Sequence, residues 1–328
     1  MQKGIVLVKN ANYEPNFRMA RSGVMLDTII IGGGPAALAA AVYAARQKIK
    51  FIVISKDVGG QVAWSSDVEN YLGFSSIVGI KLAGEFKKHV ETNGVKVEMA
   101  EVVGIEKKGK QFIVKTPTKN YETKTVLITS GKKPRKLGVK GEEDYEKRGV
   151  AYCATCDGPV FSGMNVAVIG GGNSALDAAL LLDKYAKKIY VVNLNNQLSG
   201  ERMLLSKVKK SKKVHIYDNA ITKEIKGDGK KVTSLSFEQN GKEFEIKVGG
   251  VFVEIGSVPS NSFDKLTKKN QWGEITIHTK NGISNQTSVT GMFAAGDVSS
   301  VPEKQVIVAA GEGVKAILGI FKYLNGLK

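Results

Sequence analysis

The sequence predicts an α/β protein in which one βαβ unit occurs twice. In the first unit an apolar run at residues 26–33 leads through a glycine turn into an alanine-rich helical segment, and a second strand-like run begins at Lys50. The same order returns as a strand at 165–172, a helix at 173–186 and a strand at 188–193. This order is typical of doubly wound parallel sheets. We therefore expect two Rossmann-like domains with three-layer ββα architecture.

Each strand–helix turn carries a glycine motif. The pattern Gly-x-Gly-x-x-Gly/Ala is matched by Gly32, Gly34 and Ala37 and again by Gly170, Gly172 and Ala175. A dinucleotide pyrophosphate approaches the backbone N–H groups at the start of a helix, where a side chain would obstruct it. Because both motifs follow an apolar strand and open a helix, they predict two dinucleotide-binding sites.

The residues that follow the two units differ. After the second strand of the first unit, Ser55, Lys56 and Asp57 are placed to meet an adenosine ribose, and the segment at 59–61 is placed to approach a flavin. After the second unit the sequence reads VVNLNNQL, with no Arg or Lys before Arg202. A 2′-phosphate requires such a cation, so NADPH is disfavoured.

NADH stays compatible with the second unit. An acidic residue near the ribose is usual in NADH sites and is missing at the end of its second strand, but Asn193 or Asn195 could bond the hydroxyls.

The remaining segments predict further strands and a closing helix. Strand-like runs occur at 97–116 and 120–131, and a polar connector follows them. Residues 214–256 are typical of an antiparallel meander, with hairpin signals at Asp228-Gly229 and Asn240-Gly241. An amphipathic helix is expected at 304–324. The first 25 residues fit none of these elements, and we expect either a flexible arm or an extension before a start near Met25.

Composition narrows the classes of function. The 328 residues, 42% of them apolar, suffice for two domains. No apolar run approaches the roughly 20 residues that a membrane span requires, and the first ten residues do not resemble a secretory signal. The net charge of +17 comes almost wholly from scattered lysines. The segment richest in lysine, residues 206–215, has no aromatic residues between the lysines. This favours a solvated surface over nucleic-acid binding. We expect a cytoplasmic protein.

The only two cysteines, Cys153 and Cys156, lie between the two glycine motifs. A metal site would need two more ligands, and the three histidines, at 89, 215 and 278, are scattered singly, so no metal is expected. Two inert buried thiols are an alternative. The Cys-x-x-Cys spacing favours a redox dithiol, and the adjacent Asp157 is suited to pass protons.

The chain resembles the low-molecular-weight thioredoxin reductases, a family of flavoprotein disulfide reductases, from about Leu26 to its C-terminus. The motifs that carry the resemblance are GGGPAALAAAVYAAR, GGQV, VENYLGF, CATCDG, GGGNSALDAALLL, GSVPSN, TGMFAAGDV and KQVIVAAGEG. The resemblance implies that residues 1–135 and 258–328 form an FAD domain. A pyridine-nucleotide domain with the dithiol, residues 136–257, is then inserted in it.

The resemblance also implies roles for individual residues. Cys156 would face the flavin, Cys153 would attack the substrate disulfide, and Asp157 would be the general acid. The middle domain would rotate about connectors near 135–140 and 256–259. FAD would contact Gly32, Gly34, Pro35, Ala36, Ser55, Lys56, Gly60, Gln61, Asn70, Gly131, Asp297, Gln305 and Val306. The pyridine nucleotide would contact Gly170, Gly172, Asn173, Ser174 and Asn193.

One departure from the family concerns the electron donor. The family's NADPH signature is His-Arg-Arg, with another Arg four residues after the second. The matching positions are Asn193, Leu194, Asn195 and Ser199, so every 2′-phosphate arginine is absent.

The leading interpretation is therefore an FAD-dependent reductase of a thioredoxin- or glutaredoxin-like protein, with NADH or another non-NADPH donor. The family implies a homodimer. A flavin-dependent dithiol oxidase and a redox sensor without turnover are the alternatives. The second glycine motif disfavours the oxidase, and the complete set of flavin, cysteine and acid residues disfavours the sensor.

Overall fold

The computed structural model describes residues 25–65 and 67–326, so the predicted N-terminal arm lies outside these ranges apart from Met25. The first passage of the chain forms β1 (Leu26–Ile31), α1 (Pro35–Arg46), β2 (Phe51–Ser55), β3 (Asp67–Val68), β4 (Ile77–Val78), α2 (Gly79–Thr92), β5 (Val97–Met99), β6 (Gly104–Lys108), β7 (Gln111–Lys115), β8 (Asn120–Ile128) and β9 (Lys132–Pro134). The middle passage forms β10 (Val150–Ala151), α3 (Ala154–Asp157), β11 (Asn165–Ile169), α4 (Asn173–Leu182), β12 (Lys188–Val192), α5 (Arg202–Lys210), β13 (Val214–Tyr217), β14 (Ala220–Gly227), β15 (Val232–Gln239), β16 (Lys242–Lys247) and β17 (Gly250–Val253). The last passage forms β18 (Ser257–Pro259), β19 (His278–Lys280), β20 (Ile283–Gln286), β21 (Met292–Ala294) and α6 (Val306–Gly326).

The first and last passages together build one sheet. Its main path runs β19-β20-β21-β8-β1-β2-β5, and the β6–β7 hairpin is added through β7 to β8. β1 pairs in parallel with β2 and β8, and β8 pairs in parallel with β21. Small residues such as Ala37 and Ala41 of α1 pack with Ile317 of α6 on one face, and Phe112 of β7 belongs to the core of the other. This sheet, parallel around β1 and covered by helices on one face, agrees with the predicted α/β fold class.

The middle passage is a second unit with its own sheets. β10-β17-β11-β12-β13 form a parallel sheet, and β14-β15-β16 form an antiparallel one. Both predicted hairpin signals are confirmed. Gly229 lies in the turn between β14 and β15, and Asn240 and Gly241, with φ of 51° and 76°, form the turn between β15 and β16. The second Rossmann-like unit is therefore inserted into the first.

The two chain passages between the units run side by side. β9 and β18 pair antiparallel, with Lys132 opposite Pro259 and Pro134 opposite Ser257. The amide of Arg135 adds a hydrogen bond of 3.0 Å to the carbonyl of Gly256. The segments in which we expected the hinges thus include, or directly adjoin, a short two-stranded ribbon.

Candidate functional site

A cavity of about 550 Å³ opens at the carboxyl ends of β1, β2 and β8. Such a position is the usual ligand site of an open parallel sheet. The residues predicted to contact FAD all line this cavity except Asn70. Asn70 lies beside it, since its Nδ2 atom donates to Oε1 of Gln305 at 3.2 Å. One cavity therefore gathers residues from the first and last passages of the chain.

The first glycine motif forms a cradle at one end of the cavity. Gly32 has a φ of +128°, and a Cβ added there would lie 2.4 Å from the carbonyl oxygen of Thr129. At Gly34 an added Cβ would instead point toward Gly60, whose Cα is 4.0 Å away. Gly34 is also the N-cap of α1 and no side chain caps this helix. The open helix start fits an anionic pyrophosphate.

One part of the cavity wall is charged. The Oε1 atom of Glu274 lies 3.2 Å from Nζ of Lys132 and 3.0 Å from Nζ of Lys304. Although burial raises the pKa of Glu274, hydrogen bonds from Asn270, Lys304 and Lys132 hold it below its usual value. Both lysines line the cavity, but neither they nor Glu274 was predicted from the sequence. No local motif marks them, because the contacts join distant segments.

Other polar groups of the cavity suit a ligand with hydroxyl and carbonyl groups. Burial raises the pKa of Asp297, against the opposing effect of Lys304 and Lys132. The Oγ atom of Ser130 is buried and has no hydrogen-bond partner within the described residues. A buried hydroxyl without a partner is costly, so a ligand group that bonds it would be favourable. The donors and the cradle fit a flavin dinucleotide.

The two cysteines form a disulfide at the start of the short helix α3. The amide of Cys156 donates to Sγ of Cys153 at 3.1 Å. That same Sγ lies 3.8 Å from the carbonyl oxygen of Trp64, a residue that lines the cavity. Cys153 is half-buried and Cys156 is exposed. The disulfide of the second unit therefore touches the wall of the cavity in the first.

Asp157 directly follows the disulfide. Its amide donates to the carbonyl of Cys153 at 3.1 Å, which fixes the backbone around the sulfurs. The side chain is half-buried, and burial raises the pKa of its carboxyl group. A carboxyl group whose pKa is raised keeps its proton to higher pH and is better suited to act as an acid.

The second glycine motif repeats the geometry of the first. Gly170 has a φ of +132°, close to that of Gly32, and an added Cβ would lie 2.2 Å from the carbonyl oxygen of Glu254. Gly172 is the N-cap of α4, and no side chain caps the helix. Asn173 and Ser174 of the first turn are exposed, and Oδ1 of Asn173 accepts from the amide of Glu201 at 2.8 Å. This open helix start also fits a pyrophosphate.

We expected Asn193 to contact the pyridine nucleotide, but in the structure its side chain is buried and hydrogen-bonded to neighbouring residues. It is 1% exposed, and its Nδ2 atom donates to Oδ1 of Asp218 at 2.7 Å and to the carbonyl of Asn195 at 3.1 Å. Its Oδ1 atom accepts from the amide of Asn195 at 3.2 Å. The side chain thus braces the loop after β12, and Asp218 is the nearby carboxylate that the sequence pattern did not reveal.

Two carboxyl groups interact beside the second motif. Burial, reinforced by the charge of Asp177, raises the pKa of Glu254 from its ordinary 4.5 to about 8. Burial, with a contribution from Glu201, also raises the pKa of Asp177. Glu254 follows β17 directly, and its amide donates to Ile169 at the end of β11. With its pKa raised, Glu254 carries less negative charge beside the second glycine motif than an ordinary glutamate would at neutral pH.

The described ranges contain neither a metal-binding cluster nor a membrane-spanning helix. There, no group of three or more His, Cys, Asp or Glu side chains is arranged to hold a metal ion. None of the helices described is both long and apolar enough to cross a bilayer.

Comparisons with known proteins agree with this geometry. The family model for pyridine nucleotide-disulphide oxidoreductases matches residues 26–313. The chain is 38% identical to an alkyl hydroperoxide reductase polypeptide of Escherichia coli over 91% of its length, but spans only 58% of that relative. It is 35% identical to the thioredoxin reductase of Bacillus subtilis, with 92% of this chain and 96% of the relative covered.

Solved structures show the same similarity. The thioredoxin reductase of Lactococcus lactis superposes with a TM-score of 0.86 at 32% identity, and that of T. acidophilum with 0.84 at 38% identity. In both cases 92% of this chain and 99% of the other are covered. With its two glycine cradles and the disulfide between them, the chain belongs to the pyridine nucleotide-disulphide oxidoreductase family, and its fold is that of the low-molecular-weight thioredoxin reductases.

Proposed function

We propose that the protein is an FAD-dependent disulfide reductase that passes electrons from NADH to a thioredoxin- or glutaredoxin-like protein. The observation that carries the proposal is the distance of 3.8 Å between Sγ of Cys153 and the carbonyl oxygen of Trp64. It places the disulfide at the wall of a cavity whose volume suits a dinucleotide. The thioredoxin reductases among the relatives and structural neighbours support the substrate class.

The proposed FAD site is the cavity with the first glycine cradle at one end. Gly34 and the start of α1 would hold the pyrophosphate, and Ser55 and Lys56 would meet the adenosine end. Gly60, Gln61, Gln305 and Val306 would line the ring end, with Asn70 acting through Gln305. A further set of residues, Gly32, Pro35, Ala36, Gly131 and Asp297, would complete the walls. Bound FAD, once reduced by NADH, would supply the two electrons that reduce the Cys153–Cys156 disulfide.

The chain's own residues would then transfer those electrons. The Cys153 thiolate would attack one sulfur of the partner's disulfide, break that bond and form a mixed disulfide. The Cys156 thiolate would attack Sγ of Cys153, reform the internal disulfide and release the partner as a dithiol. Asp157 would give a proton to a departing thiolate. Since Cys156 is the more exposed residue in this arrangement, we propose that the second unit turns about the β9–β18 ribbon to present Cys153.

The donor assignment rests on the second glycine motif and on what surrounds it. Gly170, Gly172, Asn173 and Ser174 would receive the pyrophosphate of the nucleotide. Leu194, Asn195 and Ser199, at which a 2′-phosphate would need arginines, are exposed and uncharged. NADH is therefore the proposed donor, and NADPH is disfavoured.

Anaerobic flavin bleaching tests the proposal. The purified protein, loaded with FAD, is mixed in turn with NADH, NADPH or a small dithiol, and the flavin absorbance is followed. We expect fast bleaching with NADH and slow bleaching with NADPH. Fast bleaching with NADPH would contradict the donor assignment, and bleaching by dithiols alone would favour a dithiol oxidase. Reduction of a thioredoxin-like substrate by Cys153→Ser would contradict the dithiol mechanism. Light scattering tests the homodimer that we also propose.

A further inference from the structure

Asp218 directly follows β13 and accepts a hydrogen bond from Asn193, which directly follows the neighbouring strand β12. We infer that Asp218, held in place by Asn193, determines the preference of the second nucleotide site for NADH over NADPH. This inference rests on the proposed function, in which a nicotinamide dinucleotide occupies that site.

Backbone pairing brings the two turns together at one edge of the sheet. β12 and β13 are parallel and end in register, with Val192 opposite Tyr217. Beyond the strands, the amide of Asn219 donates to Asn195 and the amide of Ala220 donates to Asn193, both at 2.9 Å. The carboxyl ends of parallel strands are where a dinucleotide binds. Asp218 is therefore at the nucleotide-binding edge, one strand beyond the position that normally supplies the acidic residue.

Side chains connect this carboxylate to the glycine motif. A Cβ added at Gly171 would lie 2.3 Å from Oδ1 of Asn193, so the asparagine packs directly against the motif. The other end of its amide donates to Oδ1 of Asp218 at 2.7 Å. One buried amide thus spans the distance between the glycine turn and the carboxylate. Asp218 itself is only half-buried, and we assign its second oxygen, Oδ2, to a ribose hydroxyl.

The charge of Asp218 accounts for both halves of the preference. A ribose hydroxyl can donate to a carboxylate, and a hydrogen bond to an ionised group is stronger than one between neutral groups. A 2′-phosphate removes that donor and adds about two negative charges next to a carboxylate. Like charges in contact disfavour the wrong ligand, and the exposed Leu194, Asn195 and Ser199 bring no compensating cation.

Calorimetric titration of the FAD-loaded protein with NAD⁺ and NADP⁺ tests the inference without turnover. The wild type should bind NAD⁺ more tightly. In Asp218→Asn the ratio of the NADP⁺ to the NAD⁺ dissociation constant should fall by about tenfold, because a like-charge repulsion is removed. Glu122→Gln, which removes one exposed carboxylate of the other unit, should leave the ratio unchanged.

The outcomes separate this inference from the proposed function. A wild type that binds NAD⁺ preferentially, with the same ratio in Asp218→Asn, would overturn the role of Asp218 alone. A wild type that binds neither nucleotide would overturn the proposed donor and this inference with it. Circular dichroism checks that the variant is folded. If Asp218→Asn does not fold, the same ratio of dissociation constants is measured for Asp218→Ser, which also lacks the charge, and the same outcomes apply.

Discussion

The carboxylate of Glu274 lies 3.0 Å from the ammonium group of Lys304, and the same oxygen also contacts Lys132. Lys132 belongs to β9, before the inserted unit, whereas the other two residues come after it. One ion triad at the cavity wall therefore ties together the two chain passages that the insertion separates. Glu274 is 8% exposed, so the interaction is shielded from water and salt.

Glu274→Gln should lower the free energy of unfolding by about 3 kcal/mol at neutral pH, because it leaves two poorly hydrated lysines without their carboxylate. Urea denaturation measures the effect, and Glu122→Gln is the exposed control. The pKa of Glu274 is lowered in the folded protein. Its contribution to stability is therefore present above the unfolded pKa and is lost as the pH falls through the folded value. Equal stabilities at neutral pH would refute the role of the triad.

Cys156→Ser should trap the reaction with a disulfide substrate. Cys153 could still attack, but without the second thiolate the mixed disulfide would not resolve. A covalent adduct, visible by mass spectrometry and released by dithiothreitol, is the expected product. Cys153→Ser is the matched variant and should give no adduct. Adduct formation by Cys153→Ser in place of Cys156→Ser would reverse the proposed roles.

Asp157→Asn should slow substrate reduction by about a hundredfold, the lower end of what a general acid contributes. Burial raises the pKa of this carboxyl group, so in the wild type the rate should fall as the pH rises through that value. The variant should lack this fall, because its amide does not titrate. Stopped-flow rates across the pH range measure both effects. Asp144→Asn, at an exposed position of the same unit, serves as the control. If the rate of Asp157→Asn still falls as the pH rises, the fall is caused by another group.

Glu254→Gln should change how stability depends on pH. The pKa of Glu254 is about 8 in the folded protein, against an ordinary 4.5. Between these values the folded state binds more protons than the unfolded state, so the stability contributed by this group falls as the pH rises, by up to about 1.4 kcal/mol per pH unit. The stability of the variant relative to the wild type should therefore grow from pH 5 toward pH 8. Parallel curves in urea denaturation would contradict the raised pKa.

The backbone features of the site were predictable, but several side-chain contacts were not. Gly32 and Gly170 were recognisable because a strand, a tight turn and a helix leave a local pattern, and both have the positive φ that such a turn requires. Glu274 carries no such pattern, since its lysine partners come from distant segments. Asn193 was correctly seen as a residue at the strand end. Its partner Asp218 could not be identified from the sequence, because the two residues come together only through the pairing of β12 with β13.

The bracing role of Asn193 has a consequence for redesigning coenzyme use. Of the four positions that align with the NADPH signature, Asn193 is buried and its amide is fully engaged, whereas Leu194, Asn195 and Ser199 are exposed. These positions are therefore not equally open to substitution. Arginine or lysine could be introduced at the three exposed positions with little strain. A long side chain at position 193 would instead displace the loop after β12, which is the loop that would have to hold the 2′-phosphate. A change of electron donor in this protein would therefore start at the exposed positions 194, 195 and 199 and would keep Asn193.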